Sequence, residues 1–179
     1  MNYSEIIDFW FTEIDPKQWW KKDENFDRLI GRRFTKVHTA ATRCELYSWR
    51  NTIQGRVAEI IVLDQFSRNI HRGTPLSFAC DPMALCLSQE AIRIKINDDL
   101  SPDQRLFCYM PFMHSESKEI HINAVALFAE PGLESNLDFE LKHKAIIDRF
   151  GRYPHRNEIL SRASTKEEVE FLNRPGSAF

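Results

Sequence analysis

The chain has 179 residues, 42% hydrophobic and 28% charged, with 24 Lys and Arg against 26 Asp and Glu for a formal net charge of −2. This length and composition suit one domain over 1–179 with a sizeable core, and they exclude disorder of the whole chain. The near-neutral balance argues against wholesale binding to nucleic acid or a membrane surface, so an anion site has to be local.

The opening MNYSEIIDFWF has no basic stretch and places Glu5 and Asp8 among its apolar positions, so it does not read as a secretory signal. No window approaches the ~20 uninterrupted apolar residues of a spanning helix, and a soluble, cytoplasmic protein is expected. Cys44, Cys80, Cys86 and Cys108 form no CxxC pair and read as reduced, packed thiols.

Helix signals then follow in chain order. Asp15-Pro-Lys-Gln18 offers a cap, a Pro at the first helical position and a Gln that reaches back. Phe26, Ile30, Phe34 and Val37 recur at helical spacing. Asp81-Pro82 supplies a cap and a first-turn Pro, and Ser101-Pro-Asp-Gln104 repeats the grammar of residues 15–18. Leu137, Leu141 and Ile146-Ile147 mark another apolar stripe, and Ser164-Thr-Lys-Glu167 reads as a capping box ahead of Val169 and Phe171.

The predicted helices are 4–12, 16–21, 24–47, 55–71, 82–96, 102–110, 115–130, 136–150, 156–162 and 165–173. No alternating strand pair with a tight turn interrupts them. The fold class is all-α: about 8–10 helices in antiparallel hairpins, stacked as a tetratricopeptide-like superhelix. A repeat of ~34 residues is not visible.

Three segments carry polar groups that packing leaves unexplained. In VLDQFSRNIHRG, residues 62–73, Asp64, Arg68 and Arg72 share one helix face, while Gln65 and Asn69 form a polar pair beside it. The preceding GRVAEIIVL is apolar nearly all round and should be buried. A carboxylate and a guanidinium there must pair with each other, as an Asp64–Arg68 bridge, or meet a ligand.

In FCYMPFMHSESKEIH, residues 107–121, Pro111 is expected to end or kink the helix near Met110. That places His114, Ser115 and Glu116 at the next helix start, with Ser115 as cap and Glu116 favoured by the helix dipole. No HExxH, no zinc-spaced Cys/His pair, no GxSxG and no phosphate loop occur. His114, Lys118 and His121 would share a face with a cation in the middle, and a ligand set drawn from His114, His143 and His155 would have to come from distant positions. Neither a metal nor a cofactor is expected.

The third segment, KHKAIIDRFGRYPHRNEILSR, residues 142–162, holds six Lys or Arg against two acids, a local +4 that leaves −6 for the rest. Gly151 suits a helix C′ position and Pro154 stops continuation. His155, Arg156 and Asn157 would then open a short helix and offer a carboxylate or phosphate seat. Alternatively, the arginines cap helix ends and pair with Asp64, Glu116 and other acids, fastening helices together.

LDQFSRN, YMPFMHSE and RFGRYPHRNEIL, with the early FWF, the later WW and FD, and ST.EE..FL near the end, resemble the family called domain of unknown function 924 over almost the whole chain. The resemblance implies an all-helical, tetratricopeptide-like fold and implies no activity. It places Asp64, Gln65, Arg68, Asn69 and Arg72 on the first motif, and His114, Ser115 and Glu116 on the second. Arg149, Arg152, His155, Arg156, Asn157 and Arg162 fall on the third, preceded by His143 at a commonly His position. His121 stands where the family typically has Gln, and Ser161 where it has Gly.

The leading functional expectation is a helical binding domain for a small anionic molecule. Its pocket would draw on Asp64, Gln65, Arg68, Asn69, Arg72, His114, His143, Arg149, Arg152, His155, Arg156 and Asn157. A second reading is a hydrolase or transferase for a phosphorylated or carboxylated metabolite, with His114 or His155 as base, Glu116 as orienter or acid, and the arginines holding developing charge. A third is a protein or peptide partner in a concave groove, with Phe9, Trp10, Phe11, Trp19 and Trp20 as contacts, although aromatics at helical spacing favour a buried core.

Overall fold

The computed structural model describes residues 2–95 and 99–177, which are helical with no strand among them. The predicted end of the helix 82–96, at 96, lies outside the described residues. Helix α1, Tyr3–Asp8, runs directly into a π turn at Phe9–Glu13. After a 3-10 turn at Pro16–Trp20 come α2, Glu24–Thr42, and α3, Ile53–Ile61. A second π turn, Val62–Phe66, joins α3 to the short α4, Ser67–Ile70. Further 3-10 turns lie at Tyr47–Asn51 and Pro75–Ser77, and the chain continues with α5, Asp81–Arg93; α6, Pro102–Met113; α7, Lys118–Phe128; α8, Glu134–Phe150; a 3-10 turn at Pro154–Arg156; and α9, Lys166–Leu172.

Local chemistry explains most boundaries. Asp23 caps α2 by accepting from the amides of Asn25 and Phe26, and α2 buries Phe26, Ile30, Phe34, Val37 and Ala41. It stops at Thr42, short of the predicted 47, because Cys44 turns left-handed at φ 58° and the Glu45 amide donates back to Ala40 O at 2.9 Å. Ser101 and Gln104 form the expected capping box on α6. On α9 the box runs from Thr165 to Glu168, one residue later than the sequence suggested.

Pro111 does not end α6. The helix continues to Met113, and every residue from Leu106 to Met113 is buried. A Pro in a helix interior forfeits roughly 3 kcal/mol. Here the missing amide falls near the end of the helix, and burial of eight consecutive side chains outweighs it. As a result α7 starts at Lys118 rather than 115, and Ser117 occupies the cap position. Ser115 instead closes a turn, its Oγ accepting from the Ser117 amide at 3.2 Å. Asp81 likewise is not a cap: it is the first residue of α5, and its side chain is engaged elsewhere. The predicted helix 156–162 is a 3-10 turn followed by irregular turns.

The core is aromatic at its centre. Phe9 lies 4.8 Å from Phe34, Phe34 4.9 Å from Phe66, and Trp10 5.3 Å from Phe107, centroid to centroid. Phe9 and Trp10 are therefore interior residues rather than contacts for a partner, while Trp20 is exposed. Helices α5 to α8 pack in chain order, α5 on α6, α6 on α7 and α7 on α8. The short links after α6 and α7 make these antiparallel neighbours. A smaller apolar cluster of Ile146, Ile147 and Tyr153 joins α8 to the turn that follows it.

Gly151 sits at the end of α8 with φ 68°, as expected. Ser161 also adopts a left-handed conformation, φ 54°, where it lets the Arg162 amide donate to Asn157 O at 2.8 Å. The turn is thus kept without the Gly, at a steric cost of about 1–2 kcal/mol for a side chain at such φ. Ser161→Gly is expected to raise stability by about 1 kcal/mol, since relief of strain exceeds the added freedom of the unfolded chain. Urea midpoints of the two proteins check this, and an unchanged or lower midpoint would contradict it.

Candidate functional site

The second π turn sets the site. It interrupts a helix buried all round and carries Asp64, 1% exposed, into a position where its carboxylate must find partners. Gln65 Nε2 donates to Oδ2 at 2.6 Å, His114 Nδ1 donates to Oδ1 at 2.7 Å, and Arg68 approaches Oδ1 at 3.6 Å. The anticipated Asp64–Arg68 bridge is present but is the weaker of the two that Arg68 makes. Its main partner is Asp81, to which it donates at 2.8 and 3.2 Å, with a further bond to Ser77 O at 3.1 Å.

Arg156 closes the circuit. It donates to Asp81 Oδ2, the oxygen that also accepts from Arg68 Nη2, at 3.3 Å and to the His114 carbonyl at 3.1 Å. Its guanidinium lies between the rings of Phe78, 4.6 Å away, and Tyr153, 4.5 Å away. His114, Asp64, Arg68, Asp81 and Arg156 thus form a closed ring of contacts drawn from the π turn, α4, α5, the end of α6 and the 3-10 turn.

Charge and burial fix the protonation states. Burial alone would raise the Asp64 pKa, but His114, Arg68 and the hydrogen bonds hold its carboxyl well below the usual range. Burial and the Arg68 cation keep the His114 imidazole neutral more readily than usual, although Asp64 opposes them. Because an ionised carboxylate only accepts, Nδ1 carries the hydrogen and Nε2 is left with its lone pair. The ring's hydrogen bond among the described residues is the one through Nδ1.

His114 opens onto a cavity of about 450 Å³. Its wall is mostly apolar, formed by Pro75, Phe78, Pro82, Leu85, Ile120 and Leu160 among others, with Asp81, His114, Ser115, Glu116, Ser117 and Arg156 as polar members. Glu116 does not orient His114. Its carboxylate accepts from the Tyr153 amide at 2.7 Å and from Arg162 at 2.6 and 2.9 Å.

The remaining sequence candidates lie elsewhere or serve packing. Asn69 and Arg72 reach Asp27 at 2.8 and 2.7 Å and tie α4 to α2. Arg149 pairs with Glu167 at 2.6 Å, and Arg152 holds Glu168 at 2.6 and 2.8 Å, so these two fasten α8 to α9. The local +4 is therefore largely neutralised by acids just beyond it and across the fold. Asn157 donates to Ser164 Oγ at 3.1 Å and braces the turn. His143 Nδ1 donates to Phe139 O at 2.8 Å, and the His155 ring lies 5.5 Å from that of Tyr153. No group of three or more His, Cys, Asp or Glu among the described residues is placed to hold a metal ion.

Sequence reasoning missed Asp81, Phe78 and Tyr153 as site members. Asp81 reads as a helix cap in Asp-Pro, and its true signal is tertiary: two buried guanidiniums that one nearby carboxylate must satisfy.

Fold and site together define an all-helical protein with a buried acid–histidine–arginine ring beside a largely apolar cavity. The family model described as a bacterial protein of unknown function (DUF924) matches residues 6–176, and the chain belongs to that family. It is similar to the solved structure of a protein of unknown function from Agrobacterium tumefaciens, at 39% identity and a TM-score of 0.91, over 96% of each chain. Curated proteins gave no match. Among the described residues no helix is long and apolar enough to cross a membrane.

Two predictions follow from the buried charges. Asp81→Asn would leave Arg68 and Arg156 facing each other without their shared anion, and is expected to cost about 3–5 kcal/mol in denaturant unfolding; a loss below about 1 kcal/mol would mean the ring is dispensable. Burial also holds the imidazoles of His38, His143 and His155 below their ordinary 6.5, at about 4, about 3 and about 4. Between those values and 6.5 the unfolded chain binds protons that the folded chain does not. Stability is therefore complete above 6.5 and declines as pH falls towards 4. Urea midpoints at about pH 7 and about pH 5 should show that decline, and His155→Asn should shrink it.

Proposed function

We propose that the chain is a small-molecule-binding protein whose cavity takes an amphipathic monocarboxylate. Residues 1–179 act as one domain, a stack of antiparallel hairpins similar to tetratricopeptide-like superhelices. The observation that carries this reading is Arg156: it is 6% exposed, sits at the wall of an apolar cavity and has a buried Nε without a partner. Of the five N–H bonds of a guanidinium, those to Asp81 and the His114 carbonyl are the ones satisfied among the described residues. A planar carboxylate is the natural complement of such a fork.

Charge counting narrows the ligand. Arg68, Arg156 and Arg162 are matched by Asp64, Asp81 and Glu116. With His114 neutral the cluster has no net charge to offset a polyanion, so nucleotides and polyphosphates are disfavoured. A single negative charge sharing Arg156, with an apolar body against Phe78, Leu85 and Leu160, fits both the volume and the wall.

Thermal unfolding with butyrate, 4-phenylbutyrate, inorganic phosphate and ATP tests this. A ligand at 100 times its Kd adds about 2.7 kcal/mol. The carboxylates are expected to raise the wild-type midpoint, and phosphate and ATP to leave it in place. Arg156→Gln should lose the carboxylate shift. Ala79→Trp, which obstructs the exposed rim without touching the ring, should lose it as well. A wild type unmoved by either carboxylate would overturn the reading.

A further inference from the structure

We propose that His114 is a general base with which this cavity hydrolyses apolar carboxylic esters, water being the nucleophile; this rests on the binding reading above, because the acid product is the bound monocarboxylate. Two acid–histidine pairs are buried among the described residues, and one of them has a ring nitrogen open to the cavity. His121 is hydrogen-bonded to Glu140 at 2.6 Å through Nδ1, and its Nε2 donates to Ser115 O at 2.9 Å, so both ring nitrogens are occupied at 0% exposure. His114 has its Nδ1 fixed on Asp64 while Nε2 remains open at the cavity wall. An imidazole fixed at one nitrogen by a carboxylate and open at the other is the arrangement that takes a proton from a bound nucleophile.

The neighbouring groups favour this role. Asp64 and Arg68 face His114 from the π turn and α4, Asp81 from α5, His143 from α8, and His155 and Arg156 from the 3-10 turn. Asp64 is itself held by Gln65 and Arg68, so the ring orientation is fixed before a substrate arrives. It also sits in a π turn inside an otherwise regular helix, a local irregularity that tends to occur at functional positions. The cavity wall carries two hydroxyls, Ser115 and Ser117; Ser115 Oγ accepts from the Ser117 amide, and neither hydroxyl is hydrogen-bonded to the His114 imidazole among the described residues. Water is the remaining nucleophile.

The step balances without a co-reactant other than water. The water oxygen bonds to the ester carbonyl carbon as one of its protons passes to His114 Nε2. The carbonyl electron pair moves onto oxygen, towards the unsatisfied N–H groups of Arg156. When that pair returns, the C–O bond to the alcohol breaks and the leaving oxygen takes the proton from Nε2. The acid still carries the second proton of the attacking water and loses it to solvent water, so a monocarboxylate and an alcohol leave and the imidazole is neutral again. A neutral ester enters a charge-balanced cavity and a monoanion is formed beside Arg156, which agrees with the charge count.

Release of p-nitrophenolate from p-nitrophenyl butyrate is the measurement. Wild type is expected to exceed the buffer rate, and His114→Gln to lose at least ~100-fold. The wild-type rate should rise with pH through an apparent pKa below the ordinary 6.5 of histidine and then level off. Asp64 acts through His114 as a positioning residue, so Asp64→Asn should lower kcat more than KM and move that pKa further down. If His114→Gln does not fold, diethyl pyrocarbonate gives the same reading on wild type: activity should fall in step with carbethoxylation of His114, and butyrate should slow both. Wild type no faster than buffer, or full activity after loss or modification of His114, overturns the base. If butyrate still raises the unfolding midpoint in that case, the binding site stands and only the chemistry falls; if neither is seen, both fall.

Discussion

Asp81 receives guanidiniums from α4 and from the turn after α8, and it lies on the first turn of α5. Three remote parts of the chain meet on this carboxylate. Without it, Arg68 and Arg156 would repel in a place where water cannot screen them, and burial together with Arg68 already pushes the Arg156 pKa down. The cavity wall depends on the same contact, since the turn at Pro154–Arg156 is held against α5 and the end of α6 by Arg156 alone among its charged groups. One pairing therefore links the packing of three segments to the shape of the site.

The arginines of the third motif divide by direction. Arg149 and Arg152 point to Glu167 and Glu168 and bind α9 onto α8. Arg162 returns to Glu116 and to the Tyr153 carbonyl, at 3.2 Å. Tyr153 is fixed from several sides: its amide donates to Glu116, its hydroxyl donates to Met113 O at 2.5 Å, and its ring carries Arg156. The outer arginines thus immobilise the turn whose inner arginine faces the cavity. Removing an outer pair and removing Arg156 are different experiments, although the sequence shows both as basic residues in one motif.

What the sequence made legible follows the range of the forces involved. Capping and apolar periodicity act within a few residues, so α2, α6, α8 and α9 could be read to within a turn at most ends. The passage of α6 through Pro111 could not, because it depends on the burial of Leu106 to Met113 by neighbours far along the chain. The site divides in the same way. Asp64, Arg68, His114 and Arg156 stood out because ionisable groups in apolar or kinked segments need partners. Which partner each one takes is tertiary information: Glu116 looked like the acid for His114 by proximity in sequence, whereas Asp64 is that acid in space. Arg72 shares the helical stripe of Asp64 and Arg68, and Asn69 lies on the face beside it, yet both turn to α2 instead.

The two buried acid–histidine pairs separate structure from chemistry on a single geometric criterion. At the position of His121 a Gln could also bridge an acid and a carbonyl, as a neutral donor and acceptor. The His121–Glu140 pair fits that bridging role: burial raises the Glu140 pKa, the pair is sealed, and Tyr153 closes over it at 3.2 Å. His114 could not be replaced in the same way, because a Gln there would keep a hydrogen bond to Asp64 and lose the basic lone pair at the cavity. If the only task were to hold α6 against the π turn, the amide would serve as well as the imidazole. A neutral base facing the cavity is what the proposed proton transfer requires and what an amide could not supply.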